Sequence, residues 1–264
     1  MSIVISNIMT KNDLKKLYII LVGMIAGTII TALIGHLKMK SILGKATHAK
    51  KEKSDIVFNK DDFNTLTLNI CLMIYMNIDL LSVRYHEVNN ESGLYSAVLL
   101  FGRIIYYFST TLGTILLPVA ANREMTDKEK LKTLNKTLVV LMLFSFLCIV
   151  PINIGKTFLL NLLYGADYLD AAPYVKYISI ISITLSICTV LVNYLVGIGK
   201  TKFATLTMLI VNILIILYVT IVKNINYILI GISVIGVIGV SIIYLFGVKM
   251  PRKEKALNEE KLEN

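Results

Sequence analysis

The chain has 264 residues, 56% of them hydrophobic, 17% charged, and a net charge of +10, with a mean hydropathy of +0.72. Soluble domains carry about 25% charged residues, so this composition excludes an ordinary soluble enzyme and indicates a multi-pass membrane protein. The lysines sit in short stretches beside apolar runs, which suits anionic lipid headgroups and argues against a nucleic-acid partner.

Crossing about 30 Å of hydrocarbon takes about 20 helical residues. Charge-poor runs of that length recur, and they predict seven spans in an all-α membrane protein. They are Leu17–Leu37, Phe63–Val83, Leu94–Val119, Thr137–Leu160, Tyr177–Gly199, Phe203–Val222 and Tyr227–Val248. The organisation follows: a tail and first span over 1–37, a basic linker over 38–62, a six-span bundle over 63–248, and a polar tail over 249–264.

In the first span, Gly23, Gly27, Thr31 and Gly35 recur every four residues. Small residues at that spacing let two helix backbones approach closely, so this edge is expected to pack against another helix. In the second span, Asp79 lies near the end opposite the basic linker. It could form a structural ion pair with Arg103 or couple a proton or a cation.

The third span carries Arg103 at mid-depth, where an Arg costs about 2.5–3.5 kcal/mol on insertion scales. Ser96, Arg103, Tyr107, Thr110 and Thr114 share one helical face, expected to turn inward. Val98, Phe101, Ile105, Phe108, Leu112 and Leu116 form another, expected to meet lipid. Arg103 either faces a substrate or ties helices together. The fourth span contains Pro151 and Lys156, which predict a kink and a surfacing point there.

The fifth span has the longest polar pattern. Lys176, Ser179, Ser182, Ser186, Thr189, Asn193, Gly197 and Lys200 follow steps of three and four residues from end to end. Such a stripe is expected to line a hydrophilic groove; tight helix packing through Ser and Thr is the alternative.

Lys and Arg in the flanks set orientation. The linker, the stretch after the third span, the turn after the fifth and the C-terminal tail hold 19 of them, against 7 on the opposite side. The C-terminal side is therefore expected in the cytoplasm and the N-terminus outside. An outside N-terminus is simplest if further helices precede this chain.

Cys71, Cys148 and Cys188 all lie in apolar runs without metal-site spacing, so they read as core residues, and no metal or cofactor is expected. His36, His48 and His86 fall at span ends or in loops. No nucleotide-binding, zinc-protease or serine-hydrolase motif is present, which argues against an enzyme. A retinal protein needs a Lys in its last helix, and 224–248 has none.

Several passages resemble the polysaccharide-repeat flippases of the multidrug, oligosaccharidyl-lipid and polysaccharide exporter superfamily. Asp79 followed by Gly93-Leu94-Tyr95-Ser96-Ala97 is similar to that family's D…GxYSA passage. Arg103, then Leu117-Pro118 before a charged loop, fits the same pattern, as does Leu163-Tyr164-Gly165-Ala166-Asp167-Tyr168. The family has two six-helix lobes around a cavity. The resemblance implies that this chain covers the last helix of a first lobe, a basic linker and the second lobe, as a truncated or split flippase.

It further implies movement of polyprenyl-pyrophosphate-linked oligosaccharide across a bacterial cytoplasmic membrane. Arg103, Lys176 and Lys200 would hold anionic groups, and Tyr107, Ser182, Ser186, Thr189 and Asn193 would line the sugar path. Asp79 would couple an ion. Partners would be membrane lipids, the lipid-linked oligosaccharide and a first lobe on another chain. The alternatives are a small-molecule exporter of the same superfamily, a membrane enzyme of polysaccharide assembly, or a remnant that transports nothing. The loop of about 161–176 is short for such an enzyme.

Overall fold

A computed structural model describes residues 22–23, 25–38, 60–86 and 91–249, and the linker and the C-terminal tail lie outside them. Two compact units divide at Val57/Phe58. The first contributes helix α1, Ile25–Lys38, an apolar helix shorter than a span. Part of the expected first span therefore lies outside the described residues. The helix that should pack on its Gly23-Gly27-Thr31-Gly35 edge remains an expectation. Within α1, Thr31 donates to the carbonyl of Gly27 at 2.8 Å.

Among its described residues the second unit consists of helices joined by short turns, with no strand. Its helices are α2 (Lys60–Tyr85), α3 (Glu91–Ala121), α4 (Asp127–Ile154), α5 (Lys156–Tyr164), α6 (Val175–Gly197), α7 (Thr201–Ile221) and α8 (Ile225–Ile242). A 3-10 stretch, Ala166–Tyr174, leads from α5 into α6, and a π-helical turn, Ile243–Lys249, extends α8. Six segments are long and apolar enough to cross a membrane. Their order agrees with the sequence, and most boundaries move by two or three residues.

The largest boundary correction is at α4, which starts ten residues before the expected Thr137 and takes in the Lys-rich segment. A capping box explains the early start. The N–H of Glu129 donates to Thr126 Oγ1 at 3.3 Å, and the N–H of Thr126 donates to Glu129 Oε2 at 2.9 Å. The break expected near Pro151 is present. Pro151 has no N–H to give, α4 ends at Ile154, and the N–H of Gly155 closes onto the carbonyl of Pro151 at 2.8 Å.

Helix α6 is the centre of the unit, packing against α3, α4, α7 and α8, with α3 as its most extensive neighbour. The α3–α6 seam is close because glycines on one helix face side chains on the other. Gly102 meets Ser182 and Ile178, Gly113 meets Asn193, and Gly197 meets Ala120 and the carbonyl of Leu117. A methyl group at Gly197 would lie 2.8 Å from that backbone oxygen, which cannot swing aside. Gly197→Val is therefore expected to destabilise the unit by about 1–3 kcal/mol, as overpacked cores do. Thermal unfolding in detergent checks this, and a midpoint equal to wild type would refute the seam.

The turn from α6 to α7 passes through Gly199 at φ 78°, a left-handed conformation that glycine adopts without a Cβ clash. Lys200 then reaches across to donate to the carbonyl of Gly247 at 3.0 Å. Short connections make the spans alternate in direction. One end of the bundle carries Arg123, Lys128, Lys132, Lys136, Lys200 and Lys202; the other carries Arg84, Lys156, Lys176 and Lys223.

Candidate functional site

The polar face of α3 is real, but it points the opposite way from expectation. Val98, Phe101, Ile105 and Leu116 are buried in the core of the unit. Ser96, Thr111 and Thr114 are exposed, Arg103 and Thr110 are half-buried, and Tyr107 is 56% exposed. The face expected to meet lipid therefore meets other helices, and the polar face lies on the outside of the unit. The physical reason is simple: an apolar face packs equally well against lipid or protein, so polarity alone does not fix direction.

The hydroxyls on this face are partly satisfied within the helix. Thr110 and Thr111 donate to the carbonyl of Tyr107 at 2.8 and 3.1 Å, and Thr114 donates to that of Thr110 at 2.8 Å. Arg103 Nη2 donates to Asn77 Oδ1 on α2 at 3.1 Å. Asn77 in turn donates to the carbonyl of Met73, and Asn69, two turns earlier on α2, donates to that of Thr65, both at 2.9 Å. A guanidinium has five N–H donors, and the Asn77 bond uses one of them. The other four make no hydrogen bond among the described residues.

Asp79 is not part of this face. It is 3% exposed, inside the unit on the other side of α2. Its Oδ2 accepts from the Tyr95 hydroxyl at 2.9 Å, and its Oδ1 accepts from the N–H of Leu80 at 2.8 Å. Tyr95 is itself fully buried and packs edge-on against Tyr174, with centroids 5.7 Å apart. Asp79 and Arg103 make no direct ion pair: each side chain bonds a neutral partner, although the two charges are near enough to interact. One turn earlier on α2, the buried Tyr75 hydroxyl lies against Gly236 with no hydrogen-bond partner.

The α6 stripe occupies the α3–α6 seam rather than an open groove. Ser182, Ser186 and Thr189 are buried, and Asn193 is half-buried against Gly113. Thr189 donates to the carbonyl of Leu185, and Asn193 to that of Thr189, both at 2.8 Å. Ser179 accepts from Asn153 of α4 at 3.0 Å. Here the packing alternative describes the geometry. The glycines opposite the stripe let α3 close over it. Lys176 stays exposed with its Nζ 4.7 Å from the Tyr177 ring centroid, and Lys200 is tied to Gly247 at the far end.

Of the residues expected at a site, Arg103 and Tyr107 share one face of α3; Asp79 lies behind that face, within reach of the Arg103 charge, and Lys176 and Lys200 stand apart at the two ends of α6. Sequence reasoning missed Asn69, Asn77 and Thr111 on the exposed face; it set Tyr95 in one motif with Asp79 but did not foresee the bond between them. The four-residue steps from Asn69 through Met73 to Asn77 were the available signal for α2. No group of three or more His, Cys, Asp or Glu side chains comes together among the described residues.

An uncharacterized membrane protein of Methanocaldococcus jannaschii is 28% identical to this chain over 148 residues, covering 54% of the chain and 27% of that protein. This chain is a multi-pass membrane protein. It spans about a quarter of the length of the archaeal relative. No family model matches the chain, and no solved structure matches it.

Proposed function

We propose that the six-span unit is one lobe of a flippase that moves polyprenyl-pyrophosphate-linked oligosaccharide across the cytoplasmic membrane. One observation carries this reading: a polar face with Arg103 near the middle of α3 lies on the outside of the unit. Such a face is costly against lipid, so it opposes water or another polar surface. A second lobe facing it would enclose a wet cavity, as in transporters built from paired lobes. The relative's greater length is compatible with a further lobe.

Arg103 would meet the pyrophosphate through charge-assisted bonds. Tyr107 would offer a ring face to a sugar, and Asn69, Asn77 and Thr114 would offer polar edges. Lys176, exposed at one end of α6, would receive the anion on entry, and Lys200 would do so at the other end on leaving the carbonyl of Gly247. Ser182, Ser186, Thr189 and Asn193 would join the path in a state that parts α3 from α6. Asp79, buried behind the face, would be the coupling carboxylate. An exporter of organic cations would need a carboxylate on the open face, where the structure instead has Arg103. The protein would carry out no covalent chemistry.

The test is transport by proteoliposomes containing this chain with a co-expressed first lobe. A short-chain, fluorescent pyrophosphate-linked disaccharide should become protected from an impermeant quencher. Absence of protection, with both lobes inserted and associated, would defeat the proposal. Sidedness is a separate expectation, resting on the basic count. A Cys at Lys132 should resist an impermeant maleimide added to intact cells, and a Cys at Lys223 should react. The reverse pattern would invert the topology.

A further inference from the structure

Helix α4 is the least embedded of the six spans, with only 11% of its most apolar window buried. Its surface is not uniform, however. Lys128, Lys132 and Lys136 repeat every four residues, so they form one row on the helix. Leu131, Asn135, Val139 and Val140, all on α4 itself, join that row in a shallow, open depression of about 600 Å³. At Val139 it meets a second, almost purely apolar one of about 490 Å³, which runs past Met142 and Phe146. A cationic row thus leads onto an open apolar strip of the same helix, edged by Ile183 of α6.

We infer that this track on α4 is a binding site for an anionic phospholipid, with its phosphate on Lys128, Lys132 and Lys136 and an acyl chain along Val139 to Phe146. The dimensions agree. From Lys136 to Phe146 is ten residues, about 15 Å of helix, which is the depth of one leaflet of a hydrocarbon core about 30 Å thick. The charges agree as well. Glu129 is held at the helix cap by the N–H and hydroxyl of Thr126, each 2.9 Å away, and still acts on Lys132, so the three lysines of the row outnumber it. Lys200, elsewhere at the same end, is spent on a backbone carbonyl. The site involves neither Arg103 nor the face it lies on, so it stands apart from the transport proposal.

Native mass spectrometry of the full chain in detergent provides the test. Phosphatidylglycerol and phosphatidylcholine with identical acyl chains are titrated separately. The wild-type chain should retain phosphatidylglycerol preferentially. Replacing all three lysines by Gln should remove the preference, by about fivefold for each lysine lost. Lys202→Gln with Lys223→Gln should leave it intact. Val139→Trp, which fills the junction of the two depressions, should weaken retention of phosphatidylglycerol while helix content by circular dichroism stays unchanged. Equal retention of both lipids by wild type would overturn the site. So would an unaltered preference in the triple variant, or an equal loss in the control pair. Displacement of the lipid by inorganic phosphate alone would reduce the site to an anion patch and overturn the lipid assignment, and full retention by Val139→Trp would remove the acyl strip.

Discussion

Arg103→Ala is expected to abolish flipping, measured per correctly inserted molecule, while Arg103→Lys keeps part of it. The cation lies half-buried near the middle of α3 on its outer face, with one N–H committed to Asn77. A pyrophosphate leaving the headgroup region loses hydration and needs a cation in its place. Removing one partner of such a buried charge pair costs about 2–5 kcal/mol, or about thirtyfold and upward in rate. Lys supplies charge but not the planar fork, so partial function follows. The rival reading makes Arg103 a tie between α2 and α3. In that case Arg103→Ala and Asn77→Ala would lower stability alike and leave transport per folded molecule unchanged. That pattern would remove Arg103 from the substrate path.

Tyr95→Phe is expected to lower stability by about 1–3 kcal/mol, with almost no change in shape. The phenol hydroxyl is the side-chain donor to Asp79, and both residues are buried. Deleting it leaves a carboxylate oxygen without its partner inside the unit, which is the costly way to lose a hydrogen bond. Combining Tyr95→Phe with Asp79→Leu should recover part of the loss, because neither member is then stranded. Equal unfolding midpoints for wild type and Tyr95→Phe would show that the bond contributes nothing. Asp79→Asn retains an oxygen acceptor for Tyr95 and removes the acidic group, so it separates stability from coupling. If Asp79 is the coupling carboxylate, this variant folds normally but loses transport driven by a cation gradient. Normal gradient-driven transport by Asp79→Asn would end that role.

The spans were legible because a membrane imposes a length, and charge-poor runs of that length are easy to find. The start of α4 was not, since counting apolar residues excludes a lysine-rich stretch even when a capping box holds it helical. Periodicity correctly grouped the polar residues of α3 and of α6, yet it did not say what each group faces. For α6, the answer lay on another helix. Gly102 and Gly113 are eleven residues apart, close to three helical turns, which puts both on one side of α3 facing Ser182 and Asn193. A search for glycines at that spacing on α3 would have indicated a seam. For α3, the choice between inside and outside depended on which face the other helices cover, and no single helix encodes that.

The bonds within α3 also give its outer face a hydrogen-bonding sign. Thr110, Thr111 and Thr114 have each directed their one proton to a backbone carbonyl, and Asn69 and Asn77 have each turned an amide N–H the same way. The threonines therefore present lone pairs outward, and the donors among them are Arg103, the strongest, with the Tyr107 hydroxyl and the second amide N–H of Asn69 and Asn77. A molecule complementary to that surface has the inverse arrangement: many hydroxyl donors spread over its length and a single strongly accepting group. A sugar chain ending in a phosphate has that distribution. A cargo rich in carbonyls or carboxylates along its length would meet acceptor against acceptor at the threonines, so the face would discriminate before any shape was tested.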